Sequence, residues 1–361
     1  MALRDRDVIA RLLQETDLLH AEGRAFERAR LAGRALDAAR ADPALLTLQL
    51  QAAARRADAL WRLGQADAAL AHDTWLLDLS RRPHAWSTLR EAGPSIILLQ
   101  ATLRWVSCAR ELPPIALEDL FGVLDAGEAR LRETGRLAWR DSLDASRAAL
   151  LLQLGRPEEA LGPSTRALAL RSRHPKSPGF PRSTLRHVHA EVLRALSRLD
   201  EAEALHRQVR DDPRAGASAR RAALGGLSRV CLDRGDLPSA LRFARRALTL
   251  AEGAGPSAVG DALAALVAAL RATGALEEAH AAAERRLRLA EPLGDRPRYR
   301  AHRDALDVAL DRRDHPRARA LLDAIAPLAV TMNGSTRDRR FTEEVAARRA
   351  RLATGAGSPR C

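Results

Sequence analysis

One sixteen-residue pattern recurs along this chain at steps of about forty residues. It is clearest in GRPEEALGPSTRALAL, from Gly155, and in GDLPSALRFARRALTL, from Gly235, where a Gly and two Ala-Leu pairs keep the same spacing. From Gly155 onward the steps between copies are 42, 38, 39 and 39 residues. The other clear copies begin at Gly64, Ser197 and Gly274, and weaker copies begin at Arg313 and Gly23. A fixed period of this length indicates stacked supersecondary units instead of one globular core.

Each copy predicts a helix, a tight turn and a second helix. The Gly ends the first helix, because it adopts the left-handed backbone conformation at little cost. Pro157 and Pro238 lie in the first turn of the following helix, where a missing backbone N–H does no harm. The Ala five positions after the Gly, such as Ala160 or Ala240, lets the two helices cross closely. One helical hairpin per repeat follows, and we call its first helix A and its second helix B.

Composition favours helix throughout the chain. Ala, Leu and Arg dominate, whereas aromatic residues make up only 3% and the residues that favour strands are scarce. We therefore predict an all-α fold, a right-handed α-solenoid of about eight helix-turn-helix repeats followed by a C-terminal capping helix.

The repeat resembles the tetratricopeptide repeat (TPR), in which small residues mark the helix crossing and a Gly precedes helix B. The family also places a small residue on helix A seven positions before that Gly, and this chain has Ala57, Ala148, Ala190 and Ser228 there. The resemblance covers roughly residues 5–330 and is best in residues 137–292. The chain departs from the family in its step, which is nearer 40 than about 34 residues, and in the scarcity of the repeat-closing Pro. The resemblance implies a concave groove, lined by the A helices, that binds an extended peptide or a partner protein.

The predicted array spans residues 1–334. Residues 84–136 lack the Gly and Ala spacing but still indicate two helices, about 94–111 and 115–134, so we interpret them as a degenerate repeat. The segment TMNGST after residue 330 is predicted to break the pattern, and residues 335–353 are predicted to form the capping helix. Residues 354–361 are predicted to be disordered.

Counting by the family pattern selects residues of the A helices that would face the groove. They are His187, Glu191, Arg194, Arg229, Asp233, Arg271, Arg303 and Asp307. Their alternating charges suit a polar peptide, and the simpler interpretation of each residue is a solvated helix face. Family members that dock chaperones hold a peptide carboxylate with Lys and Asn. The single Lys176 and the single Asn333 exclude a copy of that clamp.

The net charge of +13 and the isoelectric point near 11.1 raise the alternative of a nucleic-acid partner. We interpret the charge chiefly as a coding bias toward Arg and Ala, because only one Lys occurs. Between Glu159 and Glu191, however, no acidic residue occurs, and residues 164–188 are predicted to contain a basic, Pro-rich loop. Its candidate contact residues are Arg171, Arg173, Lys176, Arg182 and Arg186. This region and the Arg-rich C-terminus would bind RNA or DNA, and a solvated linker is the simpler interpretation.

Other patterns exclude several functions. No HExxH, GxSxG or Gly-rich phosphate loop occurs, so we predict no enzyme activity and no cofactor. His187 and Glu191 lie four apart and could both touch a metal, but no third ligand is evident, so we interpret them as a helix-capping or salt-bridging pair and predict no metal site. The tryptophans are predicted to be core residues, and they are Trp61, Trp75, Trp86, Trp105 and Trp139.

The sequence also bears on location. The first residues lack the apolar core of a signal peptide, and no segment reaches the roughly twenty apolar residues that span a bilayer. Cys108, Cys231 and Cys361 are far apart and without CxxC spacing, which favours a reducing compartment. We therefore predict a cytoplasmic, non-enzymatic protein-interaction module, an adaptor or regulatory scaffold, without membrane contact. Self-association through the end hairpins is a further alternative.

Overall fold

The computed structural model of the protein describes residues 2–22, 24–63, 65–79, 92–109, 115–135, 139–175, 179–336 and 339–354. Within these residues the fold is all-α, as predicted, and contains no β-strand. None of the helices in the described ranges is long and apolar enough to cross a membrane. Lys176, Trp86, Cys361 and the predicted disordered tail from residue 355 lie outside the described residues.

The helices follow one another along the chain with short connections. Their bounds are α1 Ala2–Ala21, α2 Ala25–Arg40, α3 Leu46–Arg62, α4 Ala66–Leu79, α5 Ala92–Ala109, α6 Asp119–Glu133, α7 Arg140–Gln153, α8 Pro157–Arg173, α9 Arg182–Ala195, α10 Leu199–Asp211, α11 Ala217–Asp233, α12 Leu237–Ala251, α13 Pro256–Ala272, α14 Leu276–Ala290, α15 Asp295–Asp311, α16 His315–Thr336 and α17 Arg340–Thr354. A short 3₁₀ helix, Pro43–Leu45, precedes α3.

The turn between helix A and helix B has one geometry in five successive repeats. In the copy at Gly235, the residue is left-handed at φ 79°, its N–H donates to the Leu232 carbonyl, and the Asp236 N–H donates to the Cys231 carbonyl. These two bonds define a Schellman motif. The same pair of bonds and a positive φ occur at Gly155, Ser197, Gly274 and Arg313. The prediction that this position ends helix A is therefore confirmed, including in the two copies that lack Gly.

Ser197 and Arg313 carry a side chain in a backbone conformation that favours Gly, with φ values of 58° and 59°. Ser197→Gly should therefore stabilise the protein by about 0.5–1 kcal/mol, since the left-handed strain exceeds the added chain entropy of Gly. Gly235→Ala should destabilise it by about 1 kcal/mol. At Gly235 an added Cβ would meet no atom within 4 Å, so this variant isolates the backbone effect. Urea unfolding measures both changes, and a destabilised Ser197→Gly variant would contradict this assignment.

Small side chains lie buried at the predicted helix crossings. The fully buried residues at these positions are Ala69, Ala160, Ala202, Ala240, Ala279 and Ala318 on the B helices, and Ala57, Ala148, Ala190 and Ser228 on the A helices. In one repeat the Ser228 hydroxyl donates to the Ala240 carbonyl over 2.9 Å, which joins the two helices at the crossing. The weakest copy has Arg28 where Ala is expected, and its buried guanidinium pairs with Asp58 of α3.

The chain divides into two compact units. Unit 1 comprises Met1–Leu112 and Leu120–Trp139, and unit 2 comprises Pro113–Asp119 and Arg140–Cys361. In unit 1, α2 packs between α1 and α3, and α4 packs between α3 and α5. Its apolar core includes Leu36, Leu50 and Leu76, which are fully buried. Four tryptophans lie in described parts of unit 1: Trp139 is buried, whereas Trp61, Trp75 and Trp105 are half-buried against core clusters, as expected for core residues.

In unit 2 each B helix packs between its own A helix and the A helix of the next repeat. The B helices are α8, α10, α12, α14 and α16. One continuous apolar core extends from α11 to α17. At its end α17 packs on both α15 and α16, in the place that a further A helix would take.

Two helix boundaries differ from the sequence prediction. The TMNGST segment does not break the pattern, because α16 continues through it to Thr336 and buries Met332 in the core. In the interval 84–136, α5 and α6 are shifted by one to four residues from the predicted bounds of 94–111 and 115–134. The number of repeats and their handedness stay predictions.

Candidate functional site

The A helices of unit 2 form a continuous surface. Successive members of the series α7, α9, α11, α13 and α15 contact one another directly. All eight predicted groove residues lie on α9, α11, α13 or α15. We call the surface of these four helices around Glu191, Arg229, Arg271 and Arg303 the A-helix face.

The charged side chains of α9 and α11 form one ion-pair cluster. Arg229 Nη2 donates to Glu191 Oε1 over 2.8 Å, and Arg194 Nη1 donates to Asp233 Oδ2 over 2.8 Å. Arg194 also reaches Glu191 Oε2 at 3.4 Å. Burial alone would raise the pKa of Glu191, but Arg229 and the nearby His206 outweigh it and hold that pKa well below its usual range. Glu191 is therefore a carboxylate at neutral pH and links two successive repeats.

A second ion-pair cluster joins α13, α15 and α17. Arg271 donates from Nε to Asp311 Oδ2 over 2.8 Å and lies 3.4 Å from Asp307 Oδ2. Arg348 of α17 donates to both oxygens of Asp307, over 2.7 and 3.1 Å, and Arg351 donates to Asp311 over 3.1 Å. The guanidinium groups of α17 thus occupy carboxylates that the sequence assigned to a groove.

Arg303 stands apart from this second cluster in its hydrogen bonds. Its Nε and Nη2 donate to Asp304 Oδ1 at 3.3 and 3.2 Å, and Asp304 also accepts from Arg286 of α14. Arg286 further donates to the Gly260 and Arg300 carbonyls at 3.1 Å each, so this corner is held by backbone as well as side-chain contacts.

The predicted groove residues keep different amounts of solvent exposure. Asp233, Arg303 and Arg229 are the most open of the ion-paired ones, with 40%, 37% and 35% of the side chain exposed. Asp307 and Glu191 are the least open, with 13% and 18%. The face therefore presents paired charges of both signs, with the more exposed groups available to a second molecule.

Small side chains lie between the charged clusters. On α13, Ala264 and Ala268 lie one and two turns before Arg271 on the same side of the helix, and both are half-buried. On α11, Gly225 lies one turn before Arg229, and an added Cβ there would meet only Arg229 Nη1, at 3.7 Å. The centre of the face is therefore floored by residues that leave space above the backbone.

His187 is the one groove candidate that faces a buried histidine. Its ring lies 5.4 Å, centroid to centroid, from that of His206 on α10. His206 is fully buried, its Nε2 lies 3.2 Å from Glu191 Oε1, and its ring fills the space above Gly226, where a Cβ would come within 2.2 Å of it. Burial lowers the pKa of His187 to about 4 despite the opposing effect of Glu191, so its imidazole is neutral at pH 7. Sequence reasoning missed His206, because it belongs to helix B and no motif links it to His187.

The basic region is less available than the sequence predicted. The connection between α8 and α9 covers only residues 174–181, so Arg171 and Arg173 lie in the last turn of α8 and the other described arginines lie on α9. Arg171 is 6% exposed, and its Nε donates to the buried Asp141 over 2.8 Å. The prediction of Arg171 as an exposed contact residue is therefore wrong, because burial places its charge in an internal ion pair.

The same buried pair anchors the following loop. The Ser142 hydroxyl donates to Asp141 Oδ1 over 2.9 Å and accepts from the Phe180 N–H over 2.7 Å. A Cβ at Gly179 would lie 2.3 Å from that hydroxyl, so only Gly fits here. Arg173 and Arg182 remain exposed, whereas Arg186 is half-buried and 3.8 Å from Asp212. In the described part of the C-terminus, Arg340 donates to the Gln153 carbonyl over 2.7 Å, and Arg348 and Arg351 lie in the second cluster.

No model of a known protein family matches the sequence, and no curated protein matches it either. Solved structures match the fold. The Rap protein complexed with Competence and Sporulation Factor aligns over 97% of this chain and 99% of its own, with 13% identity and a TM-score of 0.55.

Two further structures are similar. The APC/C hetero-tetramer Cut9–Hcn1 aligns over 93% of this chain and 55% of that chain, with 14% identity and a TM-score of 0.57. The apo form of RapI aligns over 97% of this chain and 100% of that chain, with 8% identity and a TM-score of 0.50. At these identities the likeness concerns the fold. The chain has a TPR-like helical repeat fold, as its sequence resemblance predicted.

Proposed function

We propose that this chain is a non-enzymatic protein-interaction module, an adaptor or regulatory scaffold, that binds a peptide or partner protein on the A-helix face of unit 2. The observation that carries the proposal is the arrangement of that face. Partly exposed charges of both signs, on Arg229, Asp233 and Arg303, flank a floor of small residues on α11 and α13. We place the module in the cytoplasm, where its scattered cysteines would stay reduced.

Pre-organisation favours binding on this face. The ion pairs between successive A helices hold long side chains in place before a partner arrives, which lowers the entropy cost of association. Their mixed charges suit the backbone and polar side chains of an extended segment. Two proteins of similar fold are described in complexes, one with Competence and Sporulation Factor and one as the Cut9–Hcn1 hetero-tetramer. These complexes support a binding role for the fold and leave the partner's identity open.

A nucleic-acid partner is less favoured. Arg171 is buried, and Arg340, Arg348 and Arg351 already donate to groups of unit 2. Phosphate binding requires several cations whose counterions can be released. The exposed Arg173 and Arg182 alone provide few such contacts.

A blocking substitution tests the location of the site. Peptides selected from a random display library against the full chain should bind at least about tenfold more weakly to Ala264→Trp and Ala268→Trp, since an indole would fill the floor of the face. The matched control is Ala281→Trp, at an exposed position of helix B α14, which should bind like the unchanged protein. Thermal unfolding of each variant confirms that it is folded. Selected peptides that bind both blocking variants with unchanged affinity would refute the proposed location.

A further inference from the structure

Three side chains with metal-binding atoms converge inside unit 2, beside the A-helix face. His187 and Glu191 lie one turn apart on α9, and His206 reaches them from α10. One ligand atom from each residue lies within 4.8 Å of the other two. The sequence offered the first two residues without a third, and the fold supplies it.

The imidazole nitrogens of this group lack the partners that burial requires. His206 Nδ1, His206 Nε2 and His187 Nδ1 are buried and have no hydrogen-bond partner among the described residues. His206 Nε2 is close to Glu191 Oε1, at 3.2 Å, but out of hydrogen-bonding alignment. Buried polar atoms are normally satisfied, because an unpaired one costs about 1–3 kcal/mol. A fully buried histidine with two unpartnered nitrogens, aimed at a second histidine and a carboxylate, therefore indicates a missing ligand.

We propose that His187, Glu191 and His206 bind one divalent transition-metal ion, zinc or a first-row metal of similar ligand preference. Two imidazoles and one carboxylate are a donor set that Zn²⁺ accepts with a fourth position left open. Mg²⁺ and Ca²⁺ prefer oxygen ligands throughout, so the two histidines select against them. This inference does not depend on partner binding at the A-helix face.

The geometry is close to that of a bound ion. Tetrahedral bonds of about 2.0–2.1 Å place ligand atoms about 3.3 Å apart. The 3.2 Å between His206 Nε2 and Glu191 Oε1 already meets this spacing. The widest separation, at most 4.8 Å, would close by about 1.5 Å through side-chain rotation on helices that stay in place. The His187 imidazole is neutral at pH 7, which leaves its lone pair available.

The surrounding charges shape the expected affinity. Arg229 donates to Glu191 and would orient this carboxylate as outer-shell partners of metal ligands do. Its positive charge also opposes the cation. Removing that charge in Arg229→Gln should therefore strengthen metal binding several-fold. A metal held by unrelated surface groups would not respond to this substitution.

The test uses the full chain, freed of metal by a chelator, with Zn²⁺ and with Co²⁺ as a spectroscopic probe. We expect one equivalent of Co²⁺ to bind with the absorption of a tetrahedral site, Zn²⁺ to displace it and raise the melting temperature, and Mg²⁺ to do neither. Glu191→Gln preserves the shape of the side chain and should weaken binding at least about tenfold, as should His187→Ala. His206→Leu removes the buried ligand, and the partly exposed Glu191 and His187 provide the test if that variant fails to fold.

The control variant is His315→Ala, which removes an exposed histidine of α16 and should leave binding unchanged. Loss of the bound equivalent in Glu191→Gln and His187→Ala, together with tighter binding in Arg229→Gln, would support the site. The proposal is overturned if the chain binds no stoichiometric metal, if both ligand variants bind as the unchanged protein does, or if His315→Ala abolishes the signal.

Discussion

Ala240→Leu should lower the free energy of unfolding by about 3 kcal/mol, because it adds a branched side chain where α11 and α12 cross. Ala240 is fully buried, and its carbonyl accepts the Ser228 hydroxyl across the crossing at 2.9 Å. A leucine can fit only by moving the two helices apart, which breaks this hydrogen bond and loosens the core that joins α11 to α13. Urea unfolding followed by circular dichroism measures the change.

The matched control for this prediction is Ala281→Leu. It makes the same substitution at an exposed position of α14 and should change the free energy of unfolding by less than about 0.5 kcal/mol. Equal stability of Ala240→Leu and the unchanged protein would contradict the close helix crossing on which the repeat depends.

Asp141→Ala should lower the free energy of unfolding by about 3–5 kcal/mol, since it leaves the Arg171 guanidinium charged inside unit 2. Asp141 is 1% exposed and Arg171 is 6% exposed. The same carboxylate orients Ser142, which holds the Phe180 N–H. The variant should therefore also make the loop between α8 and α9 more sensitive to proteolysis.

Two comparisons isolate the buried charge. The double variant Asp141→Leu/Arg171→Met removes both charges and should recover most of the lost stability. Glu201→Ala breaks the exposed Arg198–Glu201 pair and should cost at most about 1 kcal/mol. A loss in Asp141→Ala no larger than that of Glu201→Ala would show that the Arg171 charge reaches solvent.

Much of the fold follows from local rules and was predictable. The turn at each repeat depends on one residue that can be left-handed, so Gly155, Gly235 and Gly274 mark it in the sequence. The copies at Ser197 and Arg313 were found only through the period, since nothing local favours a positive φ there. The crossing residues were equally accessible, because only a small side chain fits between closely packed helices.

The candidate site was predictable in its location and less so in its contacts. Placing Glu191 and Arg229 on one face requires only the repeat period, whereas their ion pair depends on how successive repeats stack. Arg171 was misread because its partner Asp141 belongs to the preceding A helix, and a charged run does not show which member is buried. His206 was missed for the same reason, as helix packing alone brings it to His187.

The central claim is that the A-helix face of unit 2 binds a protein partner. Its most direct test is affinity capture from native cytoplasm with the full chain and Ala268→Trp side by side, at low and high salt and with nuclease. We expect a defined protein that survives salt and nuclease with the unchanged chain and is lost with Ala268→Trp. Partners retained equally by Ala268→Trp, or released by nuclease or modest salt, would contradict the claim.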